Sequence, residues 1–193
     1  MKKFLFILLL SSQFMNAQDS TPKTDSTSFR KNEVRVDVLS LVASSKINLT
    51  YERFLNHRFS LGLTTSYADS KKINEDFDEG YRNTIPKYEI IPFARYNLSK
   101  GLYSFYFAEV FVCANGGDFK ETVRLVDGDG NGYYVNQKTN YSDVALGGSL
   151  GYKLYFQKKI AVELLVGFGK NLIDTDKSPD VISRVGLNVG YRF

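Results

Sequence analysis

The chain has 193 residues, which is enough for one domain and too few for two of ordinary size. Its 25 basic and 21 acidic residues are dispersed, with no basic stripe, and this distribution excludes nucleic acid as an expected partner. The single cysteine, Cys113, excludes an intramolecular disulfide framework. We interpret it as a small apolar filler, with an intermolecular disulfide as the alternative.

The N-terminus has the three regions of a secretory signal peptide. Lysines at the start precede an unbroken apolar run, Phe4–Leu10, and the small residue Ala17 follows a few positions later. The run is shorter than the roughly 20 residues of a membrane-spanning helix. We predict a signal peptide over residues 1–17, with an apolar N-terminal strand or helix as the alternative. Residues 18–32, rich in Ser, Thr, Asp and Lys, are predicted to form a disordered periplasmic leader.

From residue 33 to the last residue, apolar side chains alternate with small or charged ones. The final segment is the clearest, because Val185, Leu187 and Val189 share one parity while Arg184 and Asn188 lie on the other. A period of two is typical of β-strands with one apolar face. The pattern predicts eight strands: Val34–Val42, Ile47–Phe54, Phe59–Tyr67, Tyr88–Leu98, Leu102–Val112, Val144–Phe156, Ile160–Phe168 and Val181–Phe193.

The connections between these strands alternate in length. Short turns are predicted at 56–58, 99–101 and 157–159, and longer loops at 69–85, 114–140 and 170–180. An even number of strands, with short turns at one end and long loops at the other, is typical of outer-membrane barrels. Closure is required because hydrocarbon cannot hydrogen-bond a free strand edge. We therefore predict an all-β fold over 33–193: an eight-stranded antiparallel transmembrane barrel in a gram-negative outer membrane, with both termini periplasmic.

The parity opposite the apolar face is predicted to fill the barrel lumen. It carries charges of both signs among Gly, Ala and Ser, with too few large apolar side chains for a core. An eight-stranded barrel is just wide enough for side chains to fill, and buried charges persist when they are paired. We predict a lumen plug of ion pairs among eight residues: Arg35, Glu52, Glu89, Arg95, Glu109, Lys153, Glu163 and Arg184.

Aromatic residues of outward parity cluster near the short turns. Rings at this level of a membrane barrel form a girdle between the apolar and wet layers. The alternative is a set of ordinary core aromatics in a soluble β-sandwich. The residues concerned are Tyr51, Tyr96, Tyr106, Tyr152, Phe156, Tyr191 and Phe193.

Three stretches resemble a known group of proteins. The opening Val34–Leu41, the tripeptide Tyr51-Glu52-Arg53 and the closing Val189–Phe193 are similar to those of small eight-stranded outer-membrane barrels of the OmpX-like and OmpA-like group. Members of that group include adhesion and defence proteins, narrow channels, enzymes and subunits of larger assemblies, so the resemblance implies a location and no single role. It also implies a C-terminal signal for the barrel-assembly machinery, carried by the alternating residues Leu187, Val189, Tyr191 and Phe193.

One motif resembles a catalytic signature. Gly147–Gly151 matches the Gly-x-Ser-x-Gly pattern of serine hydrolases, which needs a strand-to-helix elbow and a histidine base. Ser149 is predicted in mid-strand, and the only histidine, His57, is predicted in a turn at the far end of the barrel wall. We therefore expect no enzymatic activity and no catalytic residues, and interpret the glycines as room for wide neighbours in the lumen.

A second motif resembles the start of a calcium loop. Asp127, Asp129 and Asn131 alternate with glycines, but the twelfth position is Lys138 rather than the bidentate glutamate of an EF-hand. Short strands are predicted on either side, at 122–126 and 133–135, so the hexapeptide is equally a hairpin tip. Weak calcium binding stays the alternative, and no other cofactor is expected.

The predicted function follows from the lumen and the loops. A side-chain-filled lumen predicts a non-enzymatic barrel that acts through its external loops or outer wall as a binding or structural component, for example as a subunit of a larger envelope complex. A narrow channel for small solutes is the alternative. Outer-membrane lipid, lipopolysaccharide and other envelope proteins are the expected partners. Lys71 and Lys72, in the mixed charged loop 69–82, are candidates for contacting lipopolysaccharide.

Overall fold

The computed structural model describes residues 30–99, 101 and 103–193, together with all their side chains except that of Lys72. The predicted signal peptide and nearly all of the predicted leader lie outside the described residues. The described chain forms eight strands: β1 (Asn32–Asp37), β2 (Lys46–Phe54), β3 (Phe59–Ala68), β4 (Thr84–Asn97), β5 (Ser104–Val126), β6 (Gly132–Phe156), β7 (Ile160–Asn171) and β8 (Val181–Arg192). Two helices join them, α1 (Val38–Ser44) and α2 (Lys71–Asp78).

The strands pair antiparallel in chain order and close into a barrel, as the alternating pattern predicted. Closure brings the first strand against the last, with Val34 opposite Tyr191. Along β8 the side chains of Asn188 and Arg192 are buried inside, while those of Val185 and Val189 are exposed outside. The exterior is therefore apolar and the interior polar, opposite to a soluble barrel.

The barrel has two unlike ends. At the turn end lie both ends of the described chain and the short connections β2–β3, β4–β5 and β6–β7. At the loop end lie the two helices, the long β5–β6 hairpin and residues 172–180. Neither helix is long and apolar enough to cross a membrane.

The first predicted strand is wrong beyond Asp37, because the chain turns into α1. A continued strand would have placed Leu39 and Leu41 in the polar lumen and Ser40 on the apolar exterior. The helix reverses this arrangement: both leucines are exposed outside, and Ser40 lines the lumen. The carboxylate of Asp37 caps the helix by accepting hydrogen bonds from the backbone amides of residues 39 and 40.

The predicted excursion over 114–140 is wrong as a loop, because most of it continues the two strands on either side, but the structure contains the short strands predicted at 122–126 and 133–135 and the hairpin tip between them. Beyond the last β4 partner, Phe119, the hairpin rises as a two-stranded ribbon, which we define as residues 120–126 and 132–138. Most of its side chains are exposed, so both faces of the ribbon are solvent-exposed. Alternation is a signal of one buried face, so this extension lacked the pattern that marks the other strands.

The predicted loop over 69–85 contains α2. Phe77 is buried, 1% exposed, among the side chains of α2 that the structure describes. The ammonium of Lys120, at the base of the ribbon, donates to the carbonyls of Phe77 and Asp78 at 2.8 and 2.9 Å. A cation at the carboxyl end of a helix is favourable because the last carbonyls there lack intrahelical partners. The helix thereby ties the ribbon base to the loop end.

The lumen holds more large apolar side chains than the pattern predicted. Two buried clusters lie inside the barrel: Phe54, Phe105, Phe107, Tyr155, Ala161 and Leu165, and, separately, Ile91, Phe93, Phe111, Cys113, Ala145 and Ile182. The rings fit because glycines face them. A Cβ at Gly62 would lie 2.2 Å from the ring of Phe93, and one at Gly151 would lie 2.2 Å from the ring of Phe107.

Candidate functional site

The centre of the lumen is a charge network, which we define as Glu33, Arg35, Glu52, Arg95, Glu109, Lys153, Glu163 and Arg184. Each of these side chains is at most 1% exposed except that of Arg184, at 9%. The network contains four carboxylates and four cations, so its formal charge is zero. Buried ions are tolerated when they are paired in this way.

Arg95 is the most connected residue of the charge network. Its Nη1 atom donates to Glu163 at 2.6 Å and to Glu52 at 3.1 Å, and its Nη2 atom donates to Glu109 at 2.7 Å. Its guanidinium also lies 3.7 Å from the centre of the Phe107 ring. One cation therefore joins carboxylates from β2, β5 and β7, and it ties opposite sides of the wall together.

Lys153 and Arg35 bind the remaining carboxylate, Glu33, and also contact Glu52 and Glu163. The Lys153 ammonium lies 2.8 Å from Glu33, 2.8 Å from Glu52 and 3.0 Å from Glu163. Arg35 pairs with Glu33 and Glu52, and its Nε atom lies 3.6 Å from Glu163. Because three cations share three carboxylates, no single contact holds the network together.

The structure brings seven of the eight predicted plug residues into the charge network. The exception is Glu89, whose carboxylate lies nearer the loop end and pairs with Lys46 at 2.7 Å. Arg184 joins from β8 by donating to Glu109. Glu33 belongs to the network although the sequence did not single it out. Its parity is that of Arg35, so carrying the alternation one step towards the N-terminus would have found it.

The charge network contains three carboxylates close enough to hold a metal ion. Oxygen atoms of Glu33, Glu52 and Glu163 lie within 4.8 Å of one another. Each of the three already contacts at least two cationic side chains. A metal ion would have to displace these cations, so the geometry favours ion pairing over metal binding.

The hexapeptide that resembles a calcium loop is the tip of the β5–β6 hairpin. One oxygen of the Asp127 carboxylate accepts hydrogen bonds from the backbone amides of Asp129 and Asn131, at 3.0 and 2.9 Å. The carboxylate thus stabilises the turn itself, as aspartate does in an Asx-turn. Calcium binding by Asp127, Asp129 and Asn131 stays a prediction.

The hydrolase-like motif lies in an unbroken stretch of β6. Ser149 pairs with Glu109 on one side and Gly167 on the other, inside a strand that runs from Gly132 to Phe156. His57 lies at the turn end, between β2 and β3. The elbow that the hydrolase signature requires is therefore missing from this described strand.

The predicted assembly residues lie on the outer face of β8 and at the chain's end. Among them, the rings of Tyr191 and Phe193 stack with their centres 6.4 Å apart. Other aromatic residues predicted for the girdle also make contacts at the turn end, with Tyr106 and Tyr152 at 4.8 Å and Tyr96 near Phe59 at 4.9 Å. Leu187 and Val189 continue the apolar row along the strand. Recognition by the assembly machinery stays a prediction.

The fold is similar to solved outer-membrane barrels. The N-terminal β-barrel domain of Pseudomonas aeruginosa OprF matches over 85% of this chain and 98% of its own, at 12% identity and a TM-score of 0.54. Ail, the attachment invasion locus protein of Yersinia pestis, matches over 85% and 99%, at 10% identity and a TM-score of 0.47. Neisserial surface protein A matches over 84% and 93%, at 14% identity and a TM-score of 0.43. The likeness to the OprF domain establishes the fold as an eight-stranded outer-membrane β-barrel.

Sequence comparison adds the family. No curated protein is significantly similar to this chain in sequence. A family model described as a protein of unknown function, DUF3575, matches residues 3–191. The chain therefore belongs to the DUF3575 family.

Proposed function

We propose that this protein is a non-enzymatic barrel of the gram-negative outer membrane that binds a partner at its loop end. The observation that carries the proposal is the charge network, which fills the lumen where a channel would need open space. Conduction would require ion pairs to separate in a region where most charged side chains already have two or more partners. A partner would then bind the outer surface of the barrel or its external loops.

The ribbon is the most prominent surface at the loop end. It exposes the side chains of Tyr134 to 72% and of Val126 to 63%. Aromatic residues on a protruding element are frequent anchors of protein interfaces. We place the loop end outside the cell and both termini in the periplasm, because long loops of outer-membrane barrels face outwards and short turns face the periplasm.

Contacts with other envelope components belong to the same proposal. The outward residues Leu187, Val189, Tyr191 and Phe193 would be read by the barrel-assembly machinery. Lys71, exposed on α2, would contact the anionic groups of lipopolysaccharide. By contrast, Lys87 and Lys138 already share the carboxylate of Asp118, each at 2.8 Å, so they are less available.

Photo-crosslinking in intact cells tests the partner surface. A photoreactive residue at Tyr134 is expected to yield a discrete crosslinked product that mass spectrometry identifies as an envelope protein. The matched control is Tyr106, which is 62% exposed on the barrel wall near the turn end and should crosslink to lipid. The same pattern of products at both positions would contradict binding through the ribbon.

Planar-bilayer recording tests the filled lumen. The purified protein is expected to show no steady conductance, because the charge network occupies the centre of the barrel. Robust, ion-selective openings would instead support the narrow channel that is the alternative function. Arg95→Ala would then change ion selectivity more than stability.

A further inference from the structure

The barrel wall contains a seam at the loop end, between β8 and β2. Pairing of β1 with β8 ends at Asp37 and Asn188, although β8 continues outwards to Val181. In the described part of the chain, no strand pairs with this remaining edge of β8, and α1 lies in the gap between β8 and β2. Backbone groups at such an edge need partners, because hydrocarbon provides none.

The helix that fills the seam is held mainly at one point. None of its residues is buried, and Val42 is 81% exposed. The carboxylate of Asp37 accepts from α1, from the side-chain amide of Asn48 at 3.0 Å and from the backbone amide of Leu187 at 3.2 Å. Ser45 ends the helix in the left-handed region, at φ 51°, which favours glycine. Elements with few buried contacts open at low cost.

A polar cavity lies directly behind the seam. Its volume is about 50 Å³, and its wall includes Ser40 of α1, Asn48, Ser66, Ser183 and Val185. Two buried oxygens there, Asn48 Oδ1 and Ser66 Oγ, have no hydrogen-bond partner among the described residues. Ser66 is 8% exposed. Buried polar atoms are almost always paired, so these two oxygens are available to accept a hydrogen bond from a group that enters the cavity.

The charges in the wall restrict what that group can be. Lys46 is paired with Glu89, and Arg184 is paired with Glu109. Arg35 and Arg95 are held in the charge network. An anionic ligand would have to break one of these pairs, and a cationic ligand would have to compete for the Asp37 carboxylate, which also lines the cavity and already accepts from α1, Asn48 and Leu187. A hydroxyl or primary amide, by contrast, can donate to Asn48 and share a hydrogen bond with Ser66 without disturbing them.

We propose that this cavity binds the uncharged hydroxyl or amide headgroup of an amphiphile, which enters from the surrounding leaflet through the α1 seam. The tail of the amphiphile would lie on the apolar exterior beside Leu41 and Val42. In the proposed orientation this is the outer leaflet. The site is independent of partner binding by the ribbon.

A protection experiment tests the ligand class. In a Cys113→Ala background, Ser66→Cys places a near-isosteric thiol in the cavity, and its modification by methyl methanethiosulfonate is timed in phosphatidylcholine nanodiscs. With saturating 1-monooleoylglycerol, the modification rate is expected to fall about tenfold, because only the unoccupied fraction reacts. Methyl oleate, which has no donor, and oleate, which is charged, should leave the rate unchanged. The exposed control Ser142→Cys should respond to none of the three lipids.

Two variants test entry through the seam. The quantity measured is the time that protection of the Ser66→Cys thiol takes to develop after the lipid is added. Asp37→Asn loosens α1 and should shorten this time severalfold, whereas Ser45→Gly relieves the left-handed strain and should lengthen it. Asp143→Asn removes a comparable capping carboxylate elsewhere at the loop end and should have no effect. If Asp37→Asn fails to fold, Ser45→Gly still decides the point.

Three results would overturn the proposal. Absence of protection by 1-monooleoylglycerol would mean that the cavity holds water only. Equal protection by methyl oleate would mean that the headgroup is not recognised. Protection that develops at the same rate in the seam variants and the Asp143 control would mean that entry occurs at the aqueous mouth of the barrel.

Discussion

The lumen centre and the loop end of this barrel are stabilised in different ways. In the centre, each wall strand has two neighbours and most charges have two or more partners, as Arg95 and Lys153 illustrate. At the loop end, single carboxylates hold whole segments: Asp37 holds α1, and Asp143 holds residues 172–178. Disrupting a shared network should cost much free energy of unfolding and affect the whole barrel. Disrupting a single cap should cost little and affect only the segment that it holds.

The largest expected effect comes from removing the central cation. Arg95→Ala leaves the buried carboxylates of Glu52, Glu109 and Glu163 short of positive charge. Truncating one partner of a buried ion pair typically costs about 3–5 kcal/mol in the free energy of unfolding. Denaturant unfolding in lipid vesicles, followed by the heat-dependent shift in gel mobility, should show this loss.

The matched control for that variant is Arg53→Ala, on the exposed outer face of β2. Its cost should stay below about 1 kcal/mol, as is usual for exposed charges. If the two arginines cost the same, the charge network is not the principal source of stability in the lumen.

The next effect tests the packing around the charge network. Gly151→Ala would place a Cβ 2.2 Å from Phe107 and 2.5 Å from the Leu164 carbonyl. Overpacking of this kind costs about 1–3 kcal/mol. Gly148→Ala, in the same strand, meets its nearest atom at 3.4 Å and should be close to neutral. The same unfolding assay ranks the two, and an equal cost would show that the Phe107 ring moves aside freely.

The same division explains how far the sequence predicted the structure. In the lumen region, one buried face and one apolar face impose strict alternation, and this identified Arg95, Lys153 and Glu163 as neighbours in space. It could not assign the pairs, because the partner of Glu89 depends on the stagger of the strands around the barrel.

At the loop end the alternating pattern either predicted the wrong element or was absent. The alternation of Val34, Val36 and Val38 shifts parity at Leu39, just inside α1, and a strand continued past this point would place Leu39 in the polar lumen. Conversely, the ribbon is regular β-structure with two solvent-exposed faces, so the sequence predicted only its short strands beside the tip, at 122–126 and 133–135, and not their continuity with the barrel wall. In both places tertiary surroundings overrode the local signal, as they often do for strands.

A smaller and local effect is expected from the cap at Asp143. Its carboxylate accepts hydrogen bonds from the backbone amides of Leu172, Ile173 and Asp174 and from the hydroxyl of Ser178. Asp143→Asn should weaken this loop by about 1 kcal/mol, which is typical of a lost cap. Hydrogen exchange should rise severalfold in residues 172–178 and stay unchanged in β7. Faster exchange throughout the barrel would contradict the local character of this region.

The smallest effect concerns pH at the base of the ribbon. Lys138 and Lys87 bind the Asp118 carboxylate and hold its pKa below the ordinary value, although burial acts in the opposite direction. The hydrogen bond to Asp118 likewise raises the pKa of Lys87. The pairing should therefore be complete at neutral pH, be lost as the pH falls through the lowered pKa of Asp118, and weaken again at strongly alkaline pH as Lys87 deprotonates.

Lys138 is exposed and Lys87 is partly exposed, so each pair should contribute only about 0.2–1 kcal/mol. A spin label at Thr122→Cys, in a Cys113→Ala background, should become more mobile as the pH falls from 7 towards 2.5. Asp118→Asn should show that raised mobility already at pH 7, with little further change. Because Asp118 is a shared partner of two lysines, single substitution of Lys87 or Lys138 should leave the label nearly as immobile as in the parent. If either substitution alone reproduces the effect of Asp118→Asn, the two lysines do not substitute for each other at Asp118. The loop end would then lack the shared partners that stabilise the lumen centre even at this site.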